Sequence, residues 1–304
     1  MTKLYEKRHL SGVLLLDKPA GITSNAALQI TKRLYRATKA GHTGTLDPIA
    51  TGLLPICFGE ATKFSQYLLD ACKQYDAVFK LGVTTTTGDI KGEVLSEKPV
   101  SVTVEQVTEV LKKFVGEISQ TPPMYSALKH QGKPLYEYAR KGIEIDREAR
   151  QINIDSLSNV VVNGDILSMH IACSKGTYVR QLGVDIGETL GCGATMQTLR
   201  RTAVAGFDII EAYALPELEQ RLEAERDAIL LPPDVLARAW PKIEVGNAQA
   251  KSISQGQPVA ARSVPIGLIR IYNEKHVFLG MGEIKDELLY PKRLVVTSAQ
   301  NHDA

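Results

Sequence analysis

Cysteine is scarce in this chain, and long apolar runs are missing from it. Its four cysteines, Cys57, Cys72, Cys173 and Cys192, form no CxxC pair, and its six histidines show no HExxH or similar spacing. Neither a metal site nor a disulfide framework is expected from such spacing. The apolar run nearest the start, VLLL, ends after four residues at Asp17, and the MTKLYEKRHL stretch before it is charged. That pattern suits neither a secretory signal nor a membrane span. A cytoplasmic, reduced protein with no membrane partner is expected. Internal repeats and low-complexity tracts are also lacking.

An excess of one charge is missing only from the total. The 36 basic and 34 acidic residues leave a net charge of +2. Residues 1–80 nevertheless hold eleven Lys or Arg against six acids, and residues 208–240 hold eight acids against three arginines. A basic half is thereby masked, which permits an anionic partner, although a solvated surface is the plainer meaning of a charge excess.

A chain of 304 residues is long enough for one large domain and one small one. SNAALQITKRLYRA has helical apolar spacing, with Ser24 as N-cap and a basic face of Lys32, Arg33 and Arg36. YDAVFKLGVTTTTGDIKGEVL alternates as a strand and hairpin broken at Gly88 and Gly92. Thr103 and Gln106 form a capping box for VEQVTEVLKKF, and Asn163-Gly164 turns VVVNGDILSMHIAC into a second hairpin. Its return strand aligns Leu167, Met169, Ile171 and Cys173, leaving His170 on the other face as a surface residue. CSKGTYVRQLGVDIGETLGCG reads as a turn running into a glycine-closed helix. The segment from Glu217 reads as an acidic helix and then a linker punctuated by Pro232, Pro233 and Pro241. The boundary is placed there, giving domains 1–234 and 235–304. Beyond it, LIRIYN, VFLGMGEI and KRLVV are three strand patterns suited to a small β-barrel.

One loop raises a chemical question. GHTGTLDP, residues 41–48, combines two glycines, two threonine hydroxyls and Asp47 held extended by Pro48. Alone, Asp47 reads as a turn residue accepting local backbone hydrogen bonds. The loop continues as GHTGTLDPIATGLLPICFGEATKFSQYLLDACKQY and follows HLSGVLLLDKPAGITS. Together these resemble the signature of the tRNA pseudouridine synthases that modify uridine 55 in the T-loop. The resemblance runs on through QTPPMYSALKHQGKPLYEYARKG and CSKGTYVRQLGVDIGETLGCGA to LRRTAVAGF, covering most of residues 10–207. One departure is Thr195, where the family often has histidine.

The resemblance implies an α+β fold: a mixed, mainly antiparallel sheet in the catalytic domain, followed by a PUA-like RNA-binding β-barrel. It implies isomerisation of uridine to pseudouridine in the T-arm stem-loop of tRNA, with no cofactor, no metal and no obligate protein partner, by a monomer. The chemistry needs a carboxylate at the glycosidic centre, a closed pocket in which uracil can turn, and a group to remove the C5 proton. The resemblance assigns the carboxylate to Asp47, its cationic partner to Arg180, and the stacking, proton-transferring ring to Tyr75. It places Tyr178 and the Leu199 backbone against the base, and His42 where the flipped base had been. It counts Lys18 among the substrate-binding residues, bracing the catalytic loop. Each also has a plainer reading. Arg180 suits a helix surface, and Tyr75, Tyr178 and Leu199 suit a core. His42 suits a surface, and Lys18 suits a phosphate contact or a solvated position. The C-terminal segment could be a stabilising appendage. Two rival activities share the pocket: an RNA-binding protein or tRNA-folding chaperone without turnover, and a hydrolytic N-glycosidase.

Overall fold

In a computed structural model, which describes residues 6–262 and 264–296, a ten-stranded sheet forms the body of the protein. The first five residues of the charged opening stretch, and the ends of both expected domains, lie outside the described residues. Along the sheet, strands follow the order Tyr213–Ala214, Gly12–Lys18, Thr51–Phe58, Ala194–Val204, Lys73–Leu81, Ile166–Cys173, Arg150–Asn163 and Gly116–Gln120. Only the contacts of Gly12–Lys18 with Tyr213–Ala214 and of Ala194–Val204 with Thr51–Phe58 are parallel. The sheet is therefore mixed and mainly antiparallel, as expected. Among the described residues no helix is long and apolar enough to cross a membrane.

Period-two alternation decides which side chains reach which face. Leu14 and Leu16 join the main core with Phe79 and Ile171, whereas Val13 and Leu15 join a second core with Phe64, Leu236 and Met281. The Asn163-Gly164 hairpin forms as expected, and His170 bonds Asp76 and Gln74 on the outer face. The Thr103–Gln106 capping box opens the helix Val104–Lys112. The acidic segment departs from expectation. It is two short helices, Leu215–Gln220 and Glu223–Ala228, because the Leu222 N–H takes the Glu225 carboxylate as a new cap.

The helix Val179–Thr189 lies hard against the sheet. A Cβ on Gly187 would fall 2.2 Å from the Ala194 nitrogen and 2.4 Å from the Gly193 carbonyl carbon. Both obstacles are backbone, so only glycine permits this approach.

The loop around Asp47 is tied down from several sides. The helix Ser24–Leu34 is capped by Thr23, which accepts from Ala26 N, and not by Ser24 as the sequence suggested. The Ser24 hydroxyl is instead occupied by Leu46, taking its N–H at 2.7 Å and donating to its carbonyl at 3.0 Å. Gly21 N donates to the Pro48 carbonyl at 2.7 Å. Lys18 is fully buried and donates to the carbonyls of Pro19 and Ile22 at 2.8 and 2.9 Å, which shapes the turn containing Gly21. Of the two loop glycines, Gly44 has φ of +108°, while Gly41 is regular strand within Ala40–His42.

The C-terminal strands form a five-stranded sheet, in the order Lys242–Val245, Gly267–Asn273, Phe278–Lys285, Leu288–Leu294 and Val259–Ala260, with the helix Asn247–Ser254 against it. Among the described residues its two edge strands do not pair, so the expected barrel is a curled half-barrel. It is docked on the larger sheet. The Phe64 and Phe278 rings lie 5.2 Å apart, Lys63 donates to the Leu294 carbonyl at 2.9 Å, and Tyr272 donates to Asp234 at 2.6 Å.

Two substitutions test these supports. Gly187→Ala should cost about 1–3 kcal/mol of stability by overpacking, read from denaturant midpoints. Burial pushes the Lys18 ammonium down to about 8, against the pull of Asp47, from an ordinary 10.5. The unfolded chain therefore binds more protons between those values, so stability should rise with pH across that window. The rise should be smaller in Lys18→Met, measured by denaturation at either end of the window.

Candidate active site

The strands Thr51–Phe58 and Ala194–Val204 pair only at Arg200 with Thr51 and Arg201 with Gly52. Beside this short contact lies a cavity of about 270 Å³. Its walls come from six places: the Gly44–Asp47 loop, Leu69, Lys73 with Tyr75, Ser126 with Ala127, Gly176–Arg180, and Leu199 with Arg201. Distant stretches of sequence thus converge on Asp47.

Arg180 is 7% exposed and its guanidinium is satisfied by fixed groups. Nε and Nη2 each lie 2.9 Å from Asp47 Oδ2, Nη1 donates to the Thr87 carbonyl at 2.9 Å, and Nη2 donates to the Tyr125 carbonyl at 2.8 Å. Asp89 approaches Nη1 at 3.7 Å. Both contacts with Asp47 fall on Oδ2, and the Asp47 side chain is 37% exposed. The carboxylate is therefore anchored at one oxygen while part of it stays open to the cavity.

The other expected residues divide into two groups. Tyr75, Tyr178 and Leu199 line the cavity with Asp47 and Arg180. Burial raises the Tyr75 phenol, while the Arg201 guanidinium beside it pulls the other way. Tyr178 is fixed through its main chain by Gln120, whose side chain accepts from the Tyr178 N–H at 2.8 Å and donates to its carbonyl at 3.2 Å. His42 and Lys18 are not in the cavity wall. His42 ends the strand Ala40–His42, half-buried, with Nδ1 lacking a hydrogen-bond partner and its pKa lowered by burial and Arg201. Lys18 lies beneath the loop. Its burial, with the ammonium on the Pro19 and Ile22 carbonyls, disagrees with a solvated position and favours support of the loop.

Sequence reasoning missed Arg201, Lys73, Gln120, Ser24 and Asp89. Arg201 is 1% exposed, donates from Nε to the Leu53 carbonyl at 2.7 Å and from Nη2 to the Gly44 carbonyl at 3.3 Å. Its neighbour Arg200 points the opposite way to grip Asp17 with both nitrogens, at 3.1 and 2.7 Å. Thr195, the one departure from the family pattern, is buried against Thr85 at 3.1 Å, away from the cavity wall. Among the described residues no three His, Cys, Asp or Glu side chains converge as metal ligands would.

A family model for "TruB family pseudouridylate synthase (N terminal domain)" matches residues 32–179, and two for C-terminal domains of pseudouridine synthase B match residues 180–237 and 241–295. The tRNA pseudouridine synthase B of Azoarcus sp. is 54% identical over 297 residues, spanning 98% of this chain and 99% of that protein. The protein of the same name from Chromobacterium violaceum is 52% identical, spanning 97% of both. Among solved structures, one of a Cbf5-Nop10-Gar1 complex aligns with a TM-score of 0.73 at 26% identity, covering 93% of this chain and 84% of that one. The shared identity along almost the whole length shows that the chain belongs to the TruB family of tRNA pseudouridine synthases.

Proposed function

We propose that the protein isomerises uridine 55 in the T-loop of tRNA to pseudouridine, with Asp47 as the nucleophile acting on a flipped-out base. The observation that carries this reading is the part-open Asp47 carboxylate, anchored by Arg180 in a cavity walled by Tyr75, Tyr178 and Leu199. A base stacked within the T-loop cannot reach such a cavity without leaving its stack. Tyr75 and Tyr178 then hold the base, the Leu199 backbone meets its polar edge, and His42, outside the base cavity, fills the space left in the RNA.

Asp47 acts at the glycosidic centre while Arg180 keeps its carboxylate aimed. The cavity retains the detached uracil, which distinguishes isomerisation from hydrolysis. Tyr75, whose burial keeps the phenol neutral, can serve the C5 proton as a relay, accepting it while giving up its own. Residues 1–234 carry this chemistry and residues 235–304 act as a PUA-like RNA contact. The partner is the T-arm stem-loop of tRNA, met by a cytoplasmic monomer needing no cofactor and no obligate protein partner.

The test is conversion of unmodified tRNA by the protein alone, with and without chelator, mapping pseudouridine at position 55. Product should form in both. Asp47→Asn, which removes charge but keeps shape, should make none while still binding tRNA. Arg180→Lys should lower turnover by about a hundredfold with binding largely kept, since a point charge cannot replace a planar fork. Near wild-type product from Asp47→Asn would overturn the mechanism, and an abasic site with free uracil would mark a hydrolase.

A further inference from the structure

The cavity carries positive charge that the Asp47–Arg180 pair does not use. Lys73 lies two residues before Tyr75 on the same buried face of the Lys73–Leu81 strand, and Arg201 stands opposite Tyr75 on the neighbouring strand. Both line the cavity. A Cβ built on Gly44 would lie 3.8 Å from Lys73 Cε and 3.8 Å from Arg201 Nη1, so the two cations meet beside the catalytic loop. The Lys73 ammonium donates to the carbonyls of Leu69 and Ala71, at 3.2 and 2.7 Å, which engages two of its three protons.

Among the described residues neither Lys73 nor Arg201 has a carboxylate within ion-pair distance. The charged and titratable groups facing Lys73 are Arg201, Cys173, Cys72 and Asp70, and Asp70 is held by Lys175 at 2.9 Å. Burial first, and Arg201 second, push the Lys73 ammonium down to about 8. Two cations placed together in a shielded cavity call for an anion.

Isomerisation supplies one at this place. When the C1′–N1 bond breaks, its electron pair stays on N1 and spreads through the ring to O2 and O4, leaving a uracil anion. The charge leaves the base when C5 bonds to C1′, and the later loss of the C5 proton with gain of one at N1 restores the conjugated ring without a change of charge. Such an anion is released whether Asp47 attacks C1′ or assists loss of the 2′ proton. Because the base turns during this interval, a contact specific for one edge would be lost, whereas the field of two buried cations acts on the charge in any orientation of the base.

We propose that Lys73, with Arg201 beside it, stabilises the detached uracil anion while the base leaves and turns. The inference rests on the isomerase reading above and adds a second charge centre, on the base, to the Asp47–Arg180 pair.

The test follows C1′–N1 cleavage in single turnovers of T-arm RNA carrying uridine or 5-fluorouridine at the target position. Fluorine withdraws electron density, so its detached base is the more stable anion and needs the cations less. Lys73→Met should slow cleavage at uridine by about a hundredfold, and at 5-fluorouridine much less, with RNA affinity unchanged. The wild-type rate should fall as pH rises through about 8 and the ammonium loses its proton. Lys73→Arg should keep most of the rate and lose that alkaline fall, because guanidinium stays charged. Equal slowing of both substrates, no slowing, or loss of RNA affinity in place of rate would each overturn the inference. If Lys73→Met does not fold, the Lys73→Arg pH profile decides: an unchanged alkaline fall overturns it. A wild-type protein that makes no pseudouridine would instead overturn the isomerase reading.

Discussion

One guanidinium holds the active end of this molecule together. Arg180 joins its own helix, Val179–Thr189, to Asp47, to the Thr87 carbonyl and to the Tyr125 carbonyl, three segments far apart in sequence. A planar fork sends its donors in set directions, so one side chain can satisfy all three partners at once. A buried charge tolerates nothing less, since each unmatched donor would carry its desolvation cost. The position of the carboxylate therefore depends on the position of that helix, which in turn depends on Gly187 meeting the Gly193–Ala194 backbone.

The other buried cations are held differently. Lys18, Lys73 and Arg201 are satisfied chiefly by main-chain carbonyls. Carbonyl dipoles solvate a cation without cancelling its charge, so a positive field persists around the cavity where an ion pair would have quenched it. Such a field suits negative charge that develops inside the cavity. The Lys63, Phe64 and Tyr272 contacts make the C-terminal half-barrel a fixed neighbour of this basic body.

Much of the fold was legible because local chemistry and global structure agree. The Thr103–Gln106 box, the Asn163-Gly164 hairpin and the alternation that turned His170 outward all act over a few residues. Where local reading erred, tertiary contacts had overridden it. Ser24 is as good an N-cap as Thr23 by type, yet Leu46 had claimed its hydroxyl. The acidic helix broke because Glu225 made a second cap.

Short stretches of sequence suffice to put Asp47 in a glycine-bearing loop, Arg180 at the start of a helix after a turn, and Tyr75 near the start of a strand. Period and turn chemistry carry that information within short windows. What those elements face is set by packing. Arg200 and Arg201 are adjacent and chemically alike, and alternation says that they point oppositely, but not which one enters the cavity. That depends on which face of the Ala194–Val204 strand lies over the gap left where Thr51–Phe58 diverges after two rungs. Lys18 likewise cannot be read as buried from its neighbours, because the carbonyls that make its burial tolerable are presented by the folded turn from Pro19 to Ile22. Which face a strand presents and which carbonyls a turn aims are decided by packing over long distances in sequence, and no local window contains them.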